Sequence, residues 1–192
     1  MPELPEVETV VRSLNKSLSD SSIKKIKVYY PKIISENSLS HKKIINNKIL
    51  SVSRKAKYII INLEINIIAV HLRMTGKLYT ESKSKSKSKS KHIHAVFELT
   101  DGRKLIYEDV RKFGRISFLK DLSYIKQKLG IEPLSDEFSY HWCKENFKKK
   151  HRQIKSLLLD QSFIAGLGNI YIDEVLWDCK IHPLQIASKL KN

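Results

Sequence analysis

"IHAVFELTDGRKLIYED", residues 93–109, decides the fold of the first half of this chain. Ile93, Ala95, Phe97 and Leu99 alternate onto one face. The Asp101-Gly102 pair then falls between two alternating segments, which is the pattern of a two-residue hairpin turn. The stretches around it are of the same kind. "IKKIKVYY" (23–30) and "KYIIINLEINIIAVHL" (57–72) are short runs rich in isoleucine, valine and tyrosine. As far as about Leu119 the chain therefore reads as an antiparallel β-sandwich or barrel. "SKSKSKSKSK", Ser82–Lys91, has no apolar content and is expected to be a solvated surface loop between two strands.

The period changes at both ends of this β region. At the start, "MPELPEVETV" puts Pro5 in the first turn of a helix. Val7, Val10 or Val11, Leu14 and Leu18 supply the apolar stripe of that helix, and Glu6 and Glu8 suit its positive end. From about Ser135 onward, Ile154, Leu157 and Leu158 form a helical stripe, and Ile172, Val175, Leu176 and Cys179 form another. A short turn, "AGLGN" (165–169), joins the two helices. The expected class is α+β. Residues 1–125 should form an opening helix with an antiparallel β-sandwich, and residues 133–192 a helical domain.

With 192 residues the chain can bury a substantial core, and its formal net charge of +16 points to a polyanionic partner, most simply nucleic acid. No apolar run is long enough to span a membrane and the start is acidic, so no membrane is expected and the cytoplasm or nucleoid is the expected place. Cys143 and Cys179 are far apart and outside any C-x-x-C pattern, which argues against a disulfide framework and a cysteine zinc site. Both are expected to be buried small apolar residues.

Pro2 lies just ahead of the opening helix. Removal of Met1 leaves it with a secondary amine, and an α-amino group titrates at about 8 when unperturbed. A helix N-terminus in a cationic cleft pushes it lower, toward the neutral nucleophile that attacks an aldehyde-like sugar carbon to form an iminium. Glu3 is then placed to protonate a departing or ring-opening oxygen. On physics alone, "PELPE" reads first as a well-capped helix start.

"MPELPEVETV" closely resembles the start of the formamidopyrimidine-DNA glycosylase family, enzymes that excise oxidised purines and then cleave the abasic site. "RKAKY" (54–58), "HLRMTG" (71–76), "EDVRKFG" (108–114) and "DQSFIAGLGNIYIDEVLW" (160–177) match it in the same order. The resemblance implies that Pro2 is the Schiff-base nucleophile and Glu3 the acid that opens the deoxyribose ring. It places Glu6 near the lesion pocket, although a helix-dipole role fits Glu6 as well. Lys57 and His71 are implied to hold phosphates beside the lesion, with Lys57 assisting catalysis; a lone lysine on a strand is otherwise simply solvated.

An enzyme acting on a base inside duplex DNA must extrude it and fill the gap. By the resemblance, Met74, Arg111 and Phe113 form that wedge. A thioether and a ring can replace lost stacking, and a guanidinium can bond the orphaned base. Met74 and Phe113 would otherwise be read as core. The trio favours the oxidised-purine branch of the family over the endonuclease VIII branch.

"AGLGNIY" resembles the turn of a helix-two-turns-helix motif, in which Asn169 faces a phosphate and Lys155 lies near the lesion. Family members carry further helices, a lesion-capping loop and a C-terminal zinc finger after this point. The chain ends at Asn192, so no zinc or other cofactor is expected, and Ile170, Val175 or Trp177 should be poorly covered. The expected function is that of a bifunctional glycosylase and abasic-site lyase, a monomer acting on damaged double-stranded DNA. Two alternatives are a non-catalytic DNA-binding remnant of such an enzyme and a basic RNA-binding protein of ribosomal type. The latter leaves Pro2, Glu3 and the Met74, Arg111, Phe113 set unexplained.

Overall fold

Apolar residues three and four apart at the start of the chain form one buried stripe. The computed structural model, which describes residues 2–18, 20–82 and 90–190, places Leu4–Leu18 in helix α1. Leu4, Val7, Val11, Leu14 and Leu18 are its buried face, so Val11, and not Val10, continues the stripe. Asn15 fixes the helix to the neighbouring sheet, its Oδ1 accepting the Val52 N–H at 2.8 Å. Glu8 pairs with Arg12 on the same helix and with Arg54 on a strand.

Eight strands follow. They are β1 (Ile23–Val28), β2 (Ile49–Lys55), β3 (Tyr58–Leu63), β4 (Ile67–His71), β5 (Gly76–Glu81), β6 (Ile93–Leu99), β7 (Lys104–Asp109) and β8 (Arg115–Leu119). They make two four-stranded antiparallel sheets, ordered β1-β6-β7-β5 and β2-β3-β4-β8. Ala95, Phe97 and Leu99 of one sheet and Ile59, Ile61, Ile68, Val70 and Phe118 of the other share a single core with α1. The Phe97 and Phe118 rings meet edge to face at 6.4 Å between the two sheets.

The hairpin of residues 93–109 forms, with two differences from its expected geometry. Ile93 leaves the core face because the register shifts between Ile93 and Ala95. The turn is also longer than two residues. The Leu99 N–H bonds to the Arg103 carbonyl, leaving Thr100, Asp101 and Gly102 as the loop. Gly102 takes φ 86°, the left-handed residue that closes a three-residue hairpin. Most of the Ser82–Lys91 segment, residues 83–89, lies outside the described residues; at its edge, Ser90 Oγ donates to Glu108 Oε1 at 2.7 Å.

The chain divides into two compact units, Met1–Leu122 and Ser123–Asn192. The second carries α2 (Ser123–Lys126), α3 (Tyr140–Lys148), α4 (Ile154–Leu158) and α5 (Asn169–Asp178). Ser139 caps α3, its Oγ accepting the Trp142 N–H. Ile154, Leu157, Leu158, Ile164, Ile172, Leu176 and Ala187 form the core of this unit. Trp142 lies 5.4 Å from Phe163 and 5.6 Å from Phe138, ring to ring.

Three expectations need correction here. The α5 stripe is narrower than its sequence suggests, because Ile172 and Leu176 are buried while Val175 and Cys179 are exposed. Cys143 is only half-buried. The link between α4 and α5 runs over residues 159–168 instead of "AGLGN" alone, because Asp160–Ile164 forms a turn of its own. Gln161 holds that link together, accepting the Gly166 N–H and donating to the Leu159 and Leu167 carbonyls. Ile170 and Trp177 also face outward, Trp177 with 85% of its surface exposed. No helix among the described residues is long and apolar enough to cross a membrane.

Candidate active site and DNA interface

The start of α1 organises the first group of residues. Glu3 precedes the helix, and its carbonyl accepts the Val7 N–H at 3.0 Å while its own N–H donates to Glu6 Oε2 at 2.8 Å. That second bond is half of a capping box, and it gives Glu6 a definite structural task. Glu3 is only 2% exposed, and Pro2, half-buried, stands next to it at the positive end of the helix.

Lys57 does not lie on a strand. It sits in the tight connection between β2 and β3, after Ala56 with φ 50°, and only 4% of its surface is exposed. Burial pushes its ammonium pKa below the ordinary lysine value; the Glu3 carboxylate pulls the other way and Arg73 adds to the depression.

His71 ends β4 and is equally enclosed, its ring edge-on to Tyr58 at 4.7 Å. Burial, with Arg73 and Lys57 as the lesser causes, takes its pKa down to about 3. Its Nδ1 accepts the Arg73 N–H at 3.1 Å, so the neutral ring carries its proton on Nε2, as a donor. Glu3, Lys57, His71 and Arg73 thus share one electrostatic neighbourhood. Arg73 is the member that the sequence did not single out. Its signal was φ 55° at a non-glycine residue, which appears only in the folded backbone.

Sheet order brings the next three residues together. The β4–β5 connection and the β7–β8 connection both cross from one sheet to the other. Because β4 pairs with β8 and β5 with β7, the two crossings lie side by side. Met74 is on the first and is 45% exposed; Phe113 is on the second and is 49% exposed. Arg111 lies between them, Nη1 at 3.1 Å from the Met74 sulfur and its guanidinium 4.7 Å over the Phe113 ring. These side chains are therefore surface residues, not core.

In the second unit, Asn169 is exposed in the first turn of α5, whose cap residue Gly168 offers no side chain to its N–H groups. Lys155 on α4 pairs with Asp173 on α5 at 2.6 Å. Among the described residues no group of three or more His, Cys, Asp or Glu could hold a metal ion.

The formamidopyrimidine-DNA glycosylase N-terminal domain matches residues 1–116, and the H2TH domain of the same glycosylase matches residues 129–192. The chain belongs to the formamidopyrimidine-DNA glycosylase family. Membership in this family of DNA-repair glycosylases sets aside the RNA-binding alternative. The formamidopyrimidine-DNA glycosylase of Lactobacillus acidophilus is 45% identical over 197 residues, covering 99% of this chain and 70% of its own length. That of Ureaplasma parvum is 39% identical over 197 residues, covering 99% and 71%. A Lactococcus lactis member of the family bound non-covalently to DNA containing an abasic site superposes with a TM-score of 0.89 at 36% identity, covering 99% of this chain and 74% of its own. The Lactococcus lactis enzyme with DNA containing a formamidopyrimidine lesion also gives a TM-score of 0.89, again at 36% identity, covering 99% and 73%.

Proposed function

We propose that this chain removes oxidised purines, 8-oxoguanine and formamidopyrimidines, from double-stranded DNA and then cuts the strand at the abasic site through a Schiff base on Pro2. The observation that carries this reading is the start of α1, where Pro2 stands at the positive helix end beside the buried Glu3, with Lys57 and His71 in the same electrostatic neighbourhood. Once Met1 is removed, the Pro2 nitrogen attacks C1′ of the damaged nucleotide. An N–C1′ bond forms, and the bond to the base breaks with its electron pair leaving on the base. The Glu3 carboxylate takes the proton that the Pro2 nitrogen releases once bonded to C1′ and gives it to the sugar ring oxygen, the ring opens, and the iminium remains. Loss of a C2′ proton then expels the 3′ phosphate, a second elimination expels the 5′ phosphate, and water releases the sugar remnant from Pro2.

The other side chains bind and position the substrate. His71 offers a neutral Nε2–H and Lys57 an ammonium to phosphate oxygens. Met74, Arg111 and Phe113 enter the stack when the base leaves, and Asn169 with the α5 N-terminus takes a phosphate, with Lys155 on the preceding helix near the lesion. The protein acts as a monomer in the cytoplasm, without a cofactor.

The test uses chain whose mass shows Pro2 as the first residue, with duplex DNA carrying a single 8-oxoguanine. Wild type should leave phosphate at both ends of the gap, and Glu3→Gln should bind the duplex but not cut it. Cleavage by Glu3→Gln at the wild-type rate would remove Glu3 from the mechanism. Binding without cleavage by wild type would leave the DNA-binding remnant as the correct description.

A further inference from the structure

Asp109, the last residue of β7, is fully buried, yet it is surrounded by donors. Its Oδ1 accepts the Thr75 hydroxyl and, at 3.1 Å, the Arg111 N–H. Its Oδ2 accepts the Gly114 N–H at 2.9 Å and the Tyr107 hydroxyl at 3.2 Å. The Asp109 carbonyl meets Nε2 of the buried His94 at 2.7 Å. Burial works against the Asp109 carboxylate, but these donors outweigh it and hold its pKa below the usual range.

The donors come from both crossings. Thr75 follows Met74, while Arg111 and Gly114 bracket Phe113. Tyr107 adds a steric tie. Its hydroxyl fills a notch left by two glycines: a Cβ on Gly114 would lie 1.7 Å from that oxygen, and one on Gly76 would lie 2.9 Å from it. Both crossings are thus moulded around one phenol and bonded to one carboxylate. Lys112, held at φ 60°, places its ammonium 4.8 Å from the Tyr30 ring and anchors the second crossing from outside.

We propose that Asp109 and Tyr107 are positioning residues that bind the Met74 crossing and the Arg111–Phe113 crossing into one rigid wedge. The proposal rests on reading those three side chains as the group that enters the base stack. A wedge must hold its shape while it replaces lost stacking, and two independently mobile loops would yield instead. Asp109 and Tyr107 touch no substrate; they act through the side chains they hold.

Thr75→Val and Tyr107→Phe each delete one hydroxyl donor and keep the side-chain shape. Without DNA, exchange of the Arg111 and Gly114 amide protons should rise about tenfold in each variant, while the amides of β3 stay at wild-type rates. With DNA, single-turnover removal of 8-oxoguanine from duplex should slow about tenfold, whereas cleavage at a preformed abasic site should change by less than about twofold. A merely structural role would lower both activities together, and that result would overturn the proposal, as would unchanged amide exchange in both variants. A wild-type chain that acts on neither substrate would refute the proposed function instead, and the exchange rates would still decide whether the two crossings are tied.

Discussion

His71 makes the stability of the β unit depend on pH in a window set by its burial. The unfolded side chain titrates at 6.5 and the folded one at about 3, chiefly because the ring is taken out of water, with the positive Arg73 and Lys57 assisting. As pH falls below 6.5 the unfolded chain takes up a proton that the folded chain refuses. Stability attributable to His71 is therefore complete above 6.5 and is lost progressively down to about 3. Between pH 7.5 and pH 5.0 the loss comes to about 2 kcal/mol, and by pH 4 to about 3 kcal/mol. His71→Asn does not titrate and keeps an oxygen able to accept the Arg73 N–H. The assay is urea unfolding followed by circular dichroism of the sheets, since Trp142 and Trp177 both lie in the helical unit and tryptophan emission would report on that unit. Wild type should lose about 2 kcal/mol more than His71→Asn between pH 7.5 and 5.0, the fixed cost of the substitution cancelling in the difference. Equal losses for the two proteins would show that the folded ring takes up its proton as readily as the unfolded one, and burial would no longer account for a ring held neutral below pH 6.5.

Phe97→Ala should destabilise the β unit by about 3–5 kcal/mol, because Phe97 is fully buried and its ring joins the two sheets through Phe118; a small shift of the urea midpoint would mean that the sheets close over the gap. Met74→Ala should slow excision of a lesion from duplex DNA by more than it slows cleavage at a preformed abasic site. Both rates come from single-turnover gels, and equal effects would take Met74 out of the wedge.

Where one face is buried and the period is regular, the fold could be read from the sequence. The α1 stripe emerged from Val7 to Leu18 with Val10 or Val11 open and Leu4 unnamed, and the alternation of Ala95, Phe97 and Leu99 gave the core face of β6. The hairpin loop was less legible, because Asp-Gly serves both a two-residue turn and a three-residue turn with a left-handed glycine. The choice depends on which N–H reaches the Arg103 carbonyl. On α5 the periodicity could not distinguish Val175 and Cys179 from Ile172 and Leu176, because helical spacing groups residues by face and does not say what covers that face. The candidate site follows the same division. The chemistry of an amine beside a helix start suggested Pro2 and Glu3, but only the resemblance of "MPELPEVETV" to the family set them above a plain capped helix start. The burial of Lys57 was hidden in a run that reads as strand but begins in a turn. Asp109 and Arg73 could not be found at all, because their partners are set by sheet order and left-handed backbone, neither of which leaves a periodic mark.

The central claim is that Pro2 attacks the sugar. Borohydride added while Pro2-terminated chain acts on duplex DNA with one abasic site reduces the iminium to a stable amine, and peptide mapping then locates the adduct. The covalent complex should form, map to Pro2 and disappear in Pro2→Gly. An adduct on a lysine, or none despite measurable binding of that duplex, would contradict the mechanism proposed for this chain.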